Sequence, residues 1–254
     1  MLVFVIPLVS SEIANSWEQV CRLFERCVKS ICNQTSSNFR VVVVCNEKPA
    51  IGFEHPSLSY ITVDFLPDAK NIEAKTLDRG RKILVGLNWA RKLNPTHAMA
   101  VDADDCVSKR LATFVEQHSQ SDGWFINQGY VYKDGAKTIY FKGKKFNDIC
   151  GTCNIIKYSR YDLYERLEER DVTHTLQYYG GHKYILKELE TKGTNIQPLP
   201  FPGAVYVVEN GENYYNHNFG NLMVPKRMFS RLRSMKNYRI LTPCIRKEFG
   251  LVNE

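Results

Sequence analysis

The sequence lacks the features of membrane-spanning, repetitive and disordered proteins. It contains no internal repeat, no low-complexity segment and no linker between its periodic stretches. The apolar stretch at its start, residues 1–7, is too short to cross a membrane and has no basic leader before it. We therefore expect an ordered globular chain whose first apolar stretch is a buried strand.

The sequence also lacks the paired cysteine motifs of zinc-binding and disulfide-rich proteins. Its eight cysteines are scattered, and a chain of 254 residues can build a core without disulfides. One C-x-x-C motif, Cys150 to Cys153, has no second pair and does not open a helix after the first strand, which argues against zinc or thioredoxin-like chemistry. We expect reduced thiols and a cytoplasmic location.

Composition allows a sizeable core and favours anionic partners. Hydrophobic residues make up 44% of the chain, enough for one large α/β domain or two small ones. Lysine and arginine number 34 against 27 acidic residues, giving a net charge of +7. This excess favours nucleotides, acidic glycans or membrane surfaces as partners without choosing among them.

The first half of the chain alternates between strand and helix patterns. Four consecutive valines, residues 41–44, indicate a strand that is buried on both faces and hence a parallel sheet. Ser16 and Gln19 form a capping box before a helix of about four turns. The segment 64–78 is polar and aperiodic. The pattern predicts strands over 2–6, 39–45, 59–63 and 98–101, and helices over 16–31, 81–93 and 108–118.

The second half indicates antiparallel strands. Residues 124–132 and 138–141 flank Asp134-Gly135, a strong hairpin signal. The pattern further predicts strands over 152–158 and 204–208, a helix of about ten residues from Tyr161, and a helix over 181–191 closed by Gly193. We therefore predict an α/β fold with a mixed sheet: a parallel, Rossmann-like N-terminal half covered by helices, and antiparallel strands in the C-terminal half.

Three carboxylates follow the strand of residues 98–101: Asp102, Asp104 and Asp105. Alternation along a strand would place Asp102 and Asp104 on one side, at a carboxyl end where α/β sheets bind ligands. Such a pair suits Mg²⁺ or Mn²⁺, with substrate phosphates and water as the remaining ligands. The alternative is a solvated acidic loop that caps the next helix.

Taken together, these patterns resemble a family 2 glycosyltransferase of the GT-A fold over roughly residues 1–220. The resemblance rests on the first strand ending in Pro7, the valine-rich second strand, the D-x-D of Asp102 and Asp104 with its upstream helix, and the later antiparallel region. It implies a Mn²⁺ or Mg²⁺ ion that bridges the diphosphate of a nucleotide sugar. Asp104 would be the principal metal ligand and Asp102 would lie by the ribose and the metal, with Pro7 against the base and Arg79 near the phosphates.

Two positions depart from the pattern of that family. Asn46 stands where the family usually has an aspartate that contacts the base, which leaves the base open. His182 stands where the resemblance places the aspartate that serves as catalytic base. An imidazole with a pKa near neutrality could deprotonate an acceptor hydroxyl. The alternative is a histidine at a helix start without a chemical role.

The C-terminal region offers two further features. The resemblance suggests a third metal ligand after the last strand, where His217 stands; a surface histidine is the alternative. Residues 226–239 hold six basic residues and no acidic one, and Met228, Leu232, Met235 and Tyr238 recur at helical spacing. Such a helix could lie on an anionic membrane, or it could be an ordinary surface helix with a solvated face.

We therefore predict one GT-A-like domain over residues 1–254, with a nucleotide-sugar half (1–122), an acceptor half (123–220) and a basic extension (221–254). The expected reaction transfers a sugar from a nucleotide diphosphate sugar to a hydroxyl of a saccharide or lipid-linked acceptor, with inversion if His182 is the base. We expect no nucleic-acid partner, and a cytoplasmic location that the basic extension could bring to the inner face of a membrane. The alternative is a non-catalytic glycan- or nucleotide-binding protein on the same fold; a sugar nucleotidyltransferase is disfavoured because the N-terminus has no glycine-rich loop.

Overall fold

The computed structural model describes residues 1–67, 70–164, 169–213 and 236–251, and the side chains of residues 169–171 are not described. Its α-helices are α1 (Trp17–Cys32), α2 (Ile72–Ala90), α3 (Leu111–Gln117), α4 (Glu169–His174), α5 (His182–Thr191) and α6 (Pro243–Phe249). Its strands are β1 (Leu2–Pro7), β2 (Phe39–Cys45), β3 (Leu58–Thr62), β4 (His97–Ala100), β5 (Cys106–Val107), β6 (Gly123–Phe125), β7 (Gly129–Lys133), β8 (Thr138–Lys142), β9 (Asn154–Lys157), β10 (Gln197–Pro198), β11 (Ala204–Val208) and β12 (Tyr238–Ile240).

The larger sheet carries the parallel strands predicted for the first half. Its order is β10-β6-β9-β4-β1-β2-β3, and β1 pairs in parallel with both β2 and β4. Strand β9 then runs antiparallel between β4 and β6. The carboxyl ends of β1 and β4 therefore meet side by side at one edge of the sheet.

Helices cover both faces of this sheet, as four consecutive buried valines predict. Alternate residues of β1 point to opposite sides, because strand side chains have a period of two. Leu2, Phe4 and Ile6 pack with residues of α1 and α3 on one face. Val3 and Val5 pack with residues of α2 and α5 on the other. The fold class is thus a mixed α/β arrangement, which confirms the prediction.

The smaller sheet contains the antiparallel strands of the second half. Its order is β12-β8-β7-β11-β5, and the predicted hairpin joins β7 to β8. Gly135 supplies the positive φ of +77° that this turn requires. The single strand predicted over 124–132 was wrong: β6 belongs to the larger sheet and β7 to the smaller one. The chain changes sheets between them, where the Asn127 side chain and carbonyl accept hydrogen bonds from the backbone of Lys145 and Phe146.

Helix α2 begins earlier than the pattern predicts. Residues 64–78 were expected to be irregular, yet α2 starts at Ile72 with the Asn71 side chain accepting a hydrogen bond from the amide of Ala74. The apolar periodicity did not reveal the first turns of α2 because they face solvent. Ile72 is 48% exposed, and the first buried residue of the helix is Asp78. Hydrophobic periodicity does not detect a helical turn whose buried residue is polar.

The helix predicted from Tyr161 does not begin there. Residues 161–164 are not helical, and residues 165–168 lie outside the described part of the chain. The helix α4 passes directly into a π-helix, Thr175–Gly180, which ends where α5 begins. Tyr238 lies in β12 and not in a helix, while the other residues of the predicted amphipathic helix, Met228, Leu232 and Met235, lie outside the described residues.

None of the helices in the described ranges combines the length and the apolar character needed to span a bilayer. The division of the chain into a nucleotide-sugar half, an acceptor half and a basic extension stays a prediction.

Gly86 lies where α2 packs closely on the larger sheet and gives a test of this packing. A Cβ atom at this position would lie 2.4 Å from Val5 Cγ1 and 3.1 Å from Val44 Cγ2. Gly86→Ala should therefore lower the free energy of unfolding by about 1–3 kcal/mol, the usual cost of overpacking a core. Urea unfolding of both proteins measures it.

Gly52→Ala is the matched control, because its Cβ would meet nothing closer than 3.9 Å. This control should unfold within about 0.5 kcal/mol of wild type. Equal stability of the two alanine variants would contradict the close packing of α2 on β1 and β2.

Candidate functional site

A cavity of about 820 Å³ opens at the carboxyl ends of β1 and β4. Residues of α2, of the junction between the π-helix and α5, and of the segment after β11 line it. Its lining includes five of the residues singled out in the sequence: Pro7, Arg79, Asp102, Asp104 and His182.

The acidic residues reach this cavity through a loop and not through strand alternation. Strand β4 ends at Ala100, so the expectation that alternation aligns Asp102 with Asp104 was wrong. The amide of Asp102 donates to Thr152 Oγ1 at 2.9 Å, and the amide of Asp105 donates to the carbonyl of Asp102 at 3.1 Å. This tight turn is what lets Asp102 and Asp104 line the same cavity.

Asp102 forms an ion pair with Arg79 in the wall of the cavity. Arg79 Nε donates to Asp102 Oδ1 at 2.7 Å, and the arginine side chain is only 12% exposed. Arg79 Nη1 also donates to the carbonyls of Tyr179 and Gly180, each at 3.1 Å. A Cβ on Gly151 would lie 2.2 Å from Asp102 Oδ2, so the loop passes close to the carboxylate because residue 151 is glycine. Arg79 therefore joins the acidic loop to the end of the π-helix.

Asp104 is held by two asparagine amides. Asn210 Nδ2 donates to Asp104 Oδ2 at 2.7 Å, and Asn213 Nδ2 donates to the same oxygen at 3.1 Å. Burial, followed by the nearby charge of Asp102, raises the pKa of Asp104 to about 6. Two carboxylates that repel each other in a shared cavity, flanked by amide groups, are the oxygen donors that Mg²⁺ and Mn²⁺ prefer. The residues present therefore fit the expected cation.

The third carboxylate of the cluster has a structural role. Asp105 is fully buried, and Asp105 Oδ1 accepts a hydrogen bond from the amide of Val207 in β11 at 3.1 Å. The Cys150 thiol donates to Asp105 Oδ2 at 3.2 Å. Burial, and then the charge of Asp104, raises the pKa of Asp105 well above its ordinary value. Asp105 thus ties the acidic loop to the smaller sheet.

His182 is the first residue of α5 and lines the cavity, but its pKa is not near neutrality as expected. Burial, with the positive charge of Arg79 as the second cause, lowers the pKa of His182 to about 4. A hydrogen bond with the backbone of Asn147 acts in the opposite direction. Among the described residues, Nε2 of this buried imidazole has no hydrogen-bond partner. The ring is therefore uncharged at neutral pH.

Sequence reasoning missed a buried ion pair in the same wall. Lys82 Nζ donates to Asp78 Oδ2 at 2.9 Å and to the carbonyl of Leu8, also at 2.9 Å. Lys82 is fully buried, and burial outweighs the lysine in raising the pKa of Asp78. The i,i+4 spacing of Asp78 and Lys82 could have indicated an ion pair on a helix, but the sequence pattern predicted an irregular segment that includes residue 78. Asn210 and Asn213 were also missed, although they follow the apolar strand β11 much as the acidic loop follows β4.

Three further residues were predicted from the sequence to belong to the site: Pro7, Asn46 and His217. Pro7 lines the cavity at the end of β1, next to Leu8 and Val9. Asn46 is not among the cavity-lining residues; Asn46 Nδ2 donates to the carbonyls of Val63 and Phe65 at 3.2 and 2.7 Å, which secures the chain after β3. His217 lies outside the described residues, so its role as a metal ligand stays a prediction.

Another cluster of potential metal ligands lies away from the cavity. In residues 1–67, 70–164, 169–213 and 236–251, one group of three His, Cys, Asp or Glu side chains converges: Asp162, His174 and Glu188. Lys192 Nζ already contacts both carboxylates, at 3.3 Å for Asp162 and 2.8 Å for Glu188. This group is therefore accounted for as an ion-pair network. Cys150 and Cys153 belong to no such group within these ranges.

Comparison with known proteins gives a similarity of backbone only. No protein-family model matches the chain, and no curated protein matches it. Solved structures of S. aureus TarS residues 1–349 are similar to 81% of the chain at 14% identity, with a TM-score of 0.49. The same fragment in complex with UDP matches with 15% identity, 82% coverage and a TM-score of 0.49; in complex with UDP-GlcNAc the values are 13%, 84% and 0.48. The chain spans 60% of the length of these TarS chains.

The lowered pKa of His182 leads to a prediction about protonation. The imidazole should stay neutral from pH 8 down to about pH 5, because burial and Arg79 both disfavour its charge. An NMR titration of the His182 Cε1–H resonance measures this directly. A midpoint between pH 6 and 7 would contradict the buried, Arg79-facing placement.

The same shift predicts how stability depends on pH. The folded-state pKa of about 4 lies below the ordinary value of 6.5, so the folded state resists protonation. As pH falls from 6.5 towards 4, wild type should lose stability relative to His182→Gln, by about 1 kcal/mol or more at pH 5. At pH 7.5 the imidazole is neutral in the folded and the unfolded state, so its titration should contribute no difference in stability between wild type and His182→Gln. Urea midpoints of the two proteins at both pH values test the sign.

Proposed function

We propose that this chain transfers a sugar from a nucleotide diphosphate sugar to an acceptor hydroxyl. The observation that supports it most is the convergence of Asp102, Asp104, Arg79 and the uncharged His182 in one cavity at the carboxyl ends of β1 and β4. A volume of about 820 Å³ lies within the range of sites that enclose a nucleotide-sized ligand. The resemblance of the D-x-D to that of GT-A glycosyltransferases agrees with this arrangement.

Asp104 is the candidate ligand of a divalent cation. Both asparagine amides donate to Oδ2, so Oδ1 is the oxygen that can be directed to a cation. A bound Mn²⁺ or Mg²⁺ would supply positive charge to the leaving diphosphate. Asp102 is already neutralised by Arg79, and in the proposal it assists at the ribose and the metal. His217 is a further proposed ligand.

His182 is the candidate base. The hydrogen bond with the Asn147 backbone leaves Nε2 as the unpartnered ring nitrogen, and in the proposal this buried atom is the proton acceptor. In the proposed step the acceptor oxygen forms a bond to the anomeric carbon while the bond from that carbon to the diphosphate oxygen breaks. The nucleoside diphosphate leaves with the bonding electrons, and the hydroxyl proton passes to His182 Nε2. An in-line attack would invert the anomeric carbon.

One observation favours the alternative, a glycan- or nucleotide-binding protein without turnover. A base with a pKa of about 4 is weak, because proton transfer is most efficient when the pKa lies near the working pH. A bound diphosphate close to the imidazole would raise its pKa, since negative charge stabilises the imidazolium. The two candidates therefore differ in turnover and not in nucleotide binding.

Nucleotide binding should depend on a divalent cation through Asp104. Wild type should bind UDP or GDP at least about tenfold more tightly with Mn²⁺ than in EDTA, because the cation offsets the repulsion between diphosphate and carboxylates. Asp104→Ala should bind with the same affinity in both conditions. Isothermal titration calorimetry measures both ratios. Asp148→Asn, an exposed carboxylate of the same cavity lining, is the control and should keep the wild-type ratio. Equal wild-type affinity with and without Mn²⁺ would refute the metal bridge.

Turnover should depend on His182. His182→Ala should lower transfer or donor hydrolysis by about 10²- to 10⁴-fold, the usual contribution of a general base, with nucleotide affinity nearly unchanged. Donor hydrolysis can be followed by nucleotide release without a known acceptor, with UDP-GlcNAc among the donors tried. His118→Ala is the control, a histidine at the end of α3 that does not line the cavity. Wild-type turnover in His182→Ala would move the base elsewhere, and binding without any turnover would favour the binding protein.

A further inference from the structure

The buried pair of Asp78 and Lys82 leaves unused hydrogen-bonding capacity in the cavity wall. Lys82 Nζ donates to Asp78 Oδ2 and to the carbonyl of Leu8, which uses two of its three N–H bonds. Asp78 is 5% exposed and Lys82 is fully buried, and both line the cavity together with Pro7 and Leu8. The pair is therefore part of a binding surface and not of the remote core.

Asp78 Oδ1 is a buried carboxylate oxygen without a hydrogen-bond partner among the described residues. Leaving such an acceptor unpaired is costly, and native proteins rarely do so without a reason. No other side-chain oxygen that lines the cavity within the described ranges is buried and unpaired in this way. A donor supplied by a bound molecule would satisfy it.

The side chains of this part of the cavity wall suit some groups of a nucleotide and not others. A carboxylate oxygen only accepts hydrogen bonds and repels phosphate, so the diphosphate is excluded. Pro7, Leu8 and Val9 offer apolar contact to a flat ring. Asn46 offers no competing contact, because it is not among the residues that line the cavity.

We propose that Asp78 and Lys82 recognise the nucleobase of the donor, with Asp78 Oδ1 accepting a ring N–H and Lys82 Nζ donating to the adjacent ring carbonyl. This inference rests on the proposed function. The N–H beside a carbonyl occurs in uracil and guanine. In cytosine and adenine the corresponding edge pairs an exocyclic amino group with an unprotonated ring nitrogen, so CDP and ADP are the competitors that the test must include. The proposed specificity is for a base that carries a ring N–H beside a carbonyl.

The test compares nucleotides that differ only at that N–H. Calorimetry in Mn²⁺ with UDP, GDP, CDP and ADP first shows which base binds most tightly. The N3-methyl analogue of UDP, or the N1-methyl analogue of GDP, is then titrated. Wild type should bind the methylated nucleotide about ten- to a hundredfold more weakly, because a charge-assisted hydrogen bond is lost. This arm uses the wild-type chain and needs no variant to fold.

Asp78→Asn supplies the second arm. The asparagine amide can keep one contact to Lys82 but can no longer present a carboxylate to the ring, so the ratio of affinities for the normal and methylated nucleotides should fall to near one. Affinity for Mn²⁺-pyrophosphate, which has no base, should stay within about twofold of wild type. Glu73→Gln is the matched control, an exposed carboxylate of α2 that lines the same cavity, and should keep the wild-type ratio.

The outcomes separate this inference from the proposed function. A nucleotide that binds with Mn²⁺ but tolerates ring methylation, or tightest binding of CDP or ADP, overturns base recognition by Asp78 and leaves sugar transfer standing. Equal losses for the normal nucleotide, the methylated nucleotide and pyrophosphate in Asp78→Asn show that the pair acts only by supporting the wall, which also overturns it. Absence of binding by every nucleotide diphosphate overturns both.

Discussion

The ion pair between Arg79 and Asp102 is the contact on which the site depends. It joins three elements that are distant in sequence: α2, the loop after β4, and the end of the π-helix. Close packing at glycines makes this possible. A Cβ on Gly80 would lie 2.7 Å from the carbonyl of Thr175, and one on Gly180 would lie 2.5 Å from that of Thr76. Without this approach of α2 to the π-helix, Arg79 could not reach both the carboxylate and the helix-end carbonyls, and the cavity would lose its inner wall.

The charges of the cavity wall are balanced unevenly, and this imbalance supports the cation site proposed at Asp104. Asp102 has Arg79 as its partner and Asp78 has Lys82, both at ion-pair distance. Asp104 has two neutral amides instead, and burial, followed by the charge of Asp102, raises its pKa to about 6. A divalent cation is attracted most strongly to a carboxylate of this kind. The proposed cation therefore lies at Asp104, and the proposed contact with the base lies at Asp78 and Lys82.

The smaller sheet contributes more to the site than its position in the chain suggests. Strand β11 binds Asp105 through the amide of Val207 and leads directly to Asn210 and Asn213, the two residues that hold Asp104. Glu212 accepts hydrogen bonds from the amides of Asn15 and Ser16, so the same segment is also held against the start of α1. Both halves of the chain thus shape one cavity, because the segment after β11 is anchored to the acidic loop and to the first helix.

The sequence by itself determined the fold class, the strand β2 with its burial on both faces, the capped start of α1, the hairpin at Gly135 and the position of the acidic loop. Each of these depends on local periodicity, turn chemistry or capping, which are properties of neighbouring residues. Tertiary structure alone decided that α2 begins at Ile72, that Asp102 is paired with Arg79, that the His182 pKa is lowered, and that Asp78 and Lys82 face the cavity. Burial and the approach of charges from other elements set these features, and neither can be read from the spacing of residues along the chain.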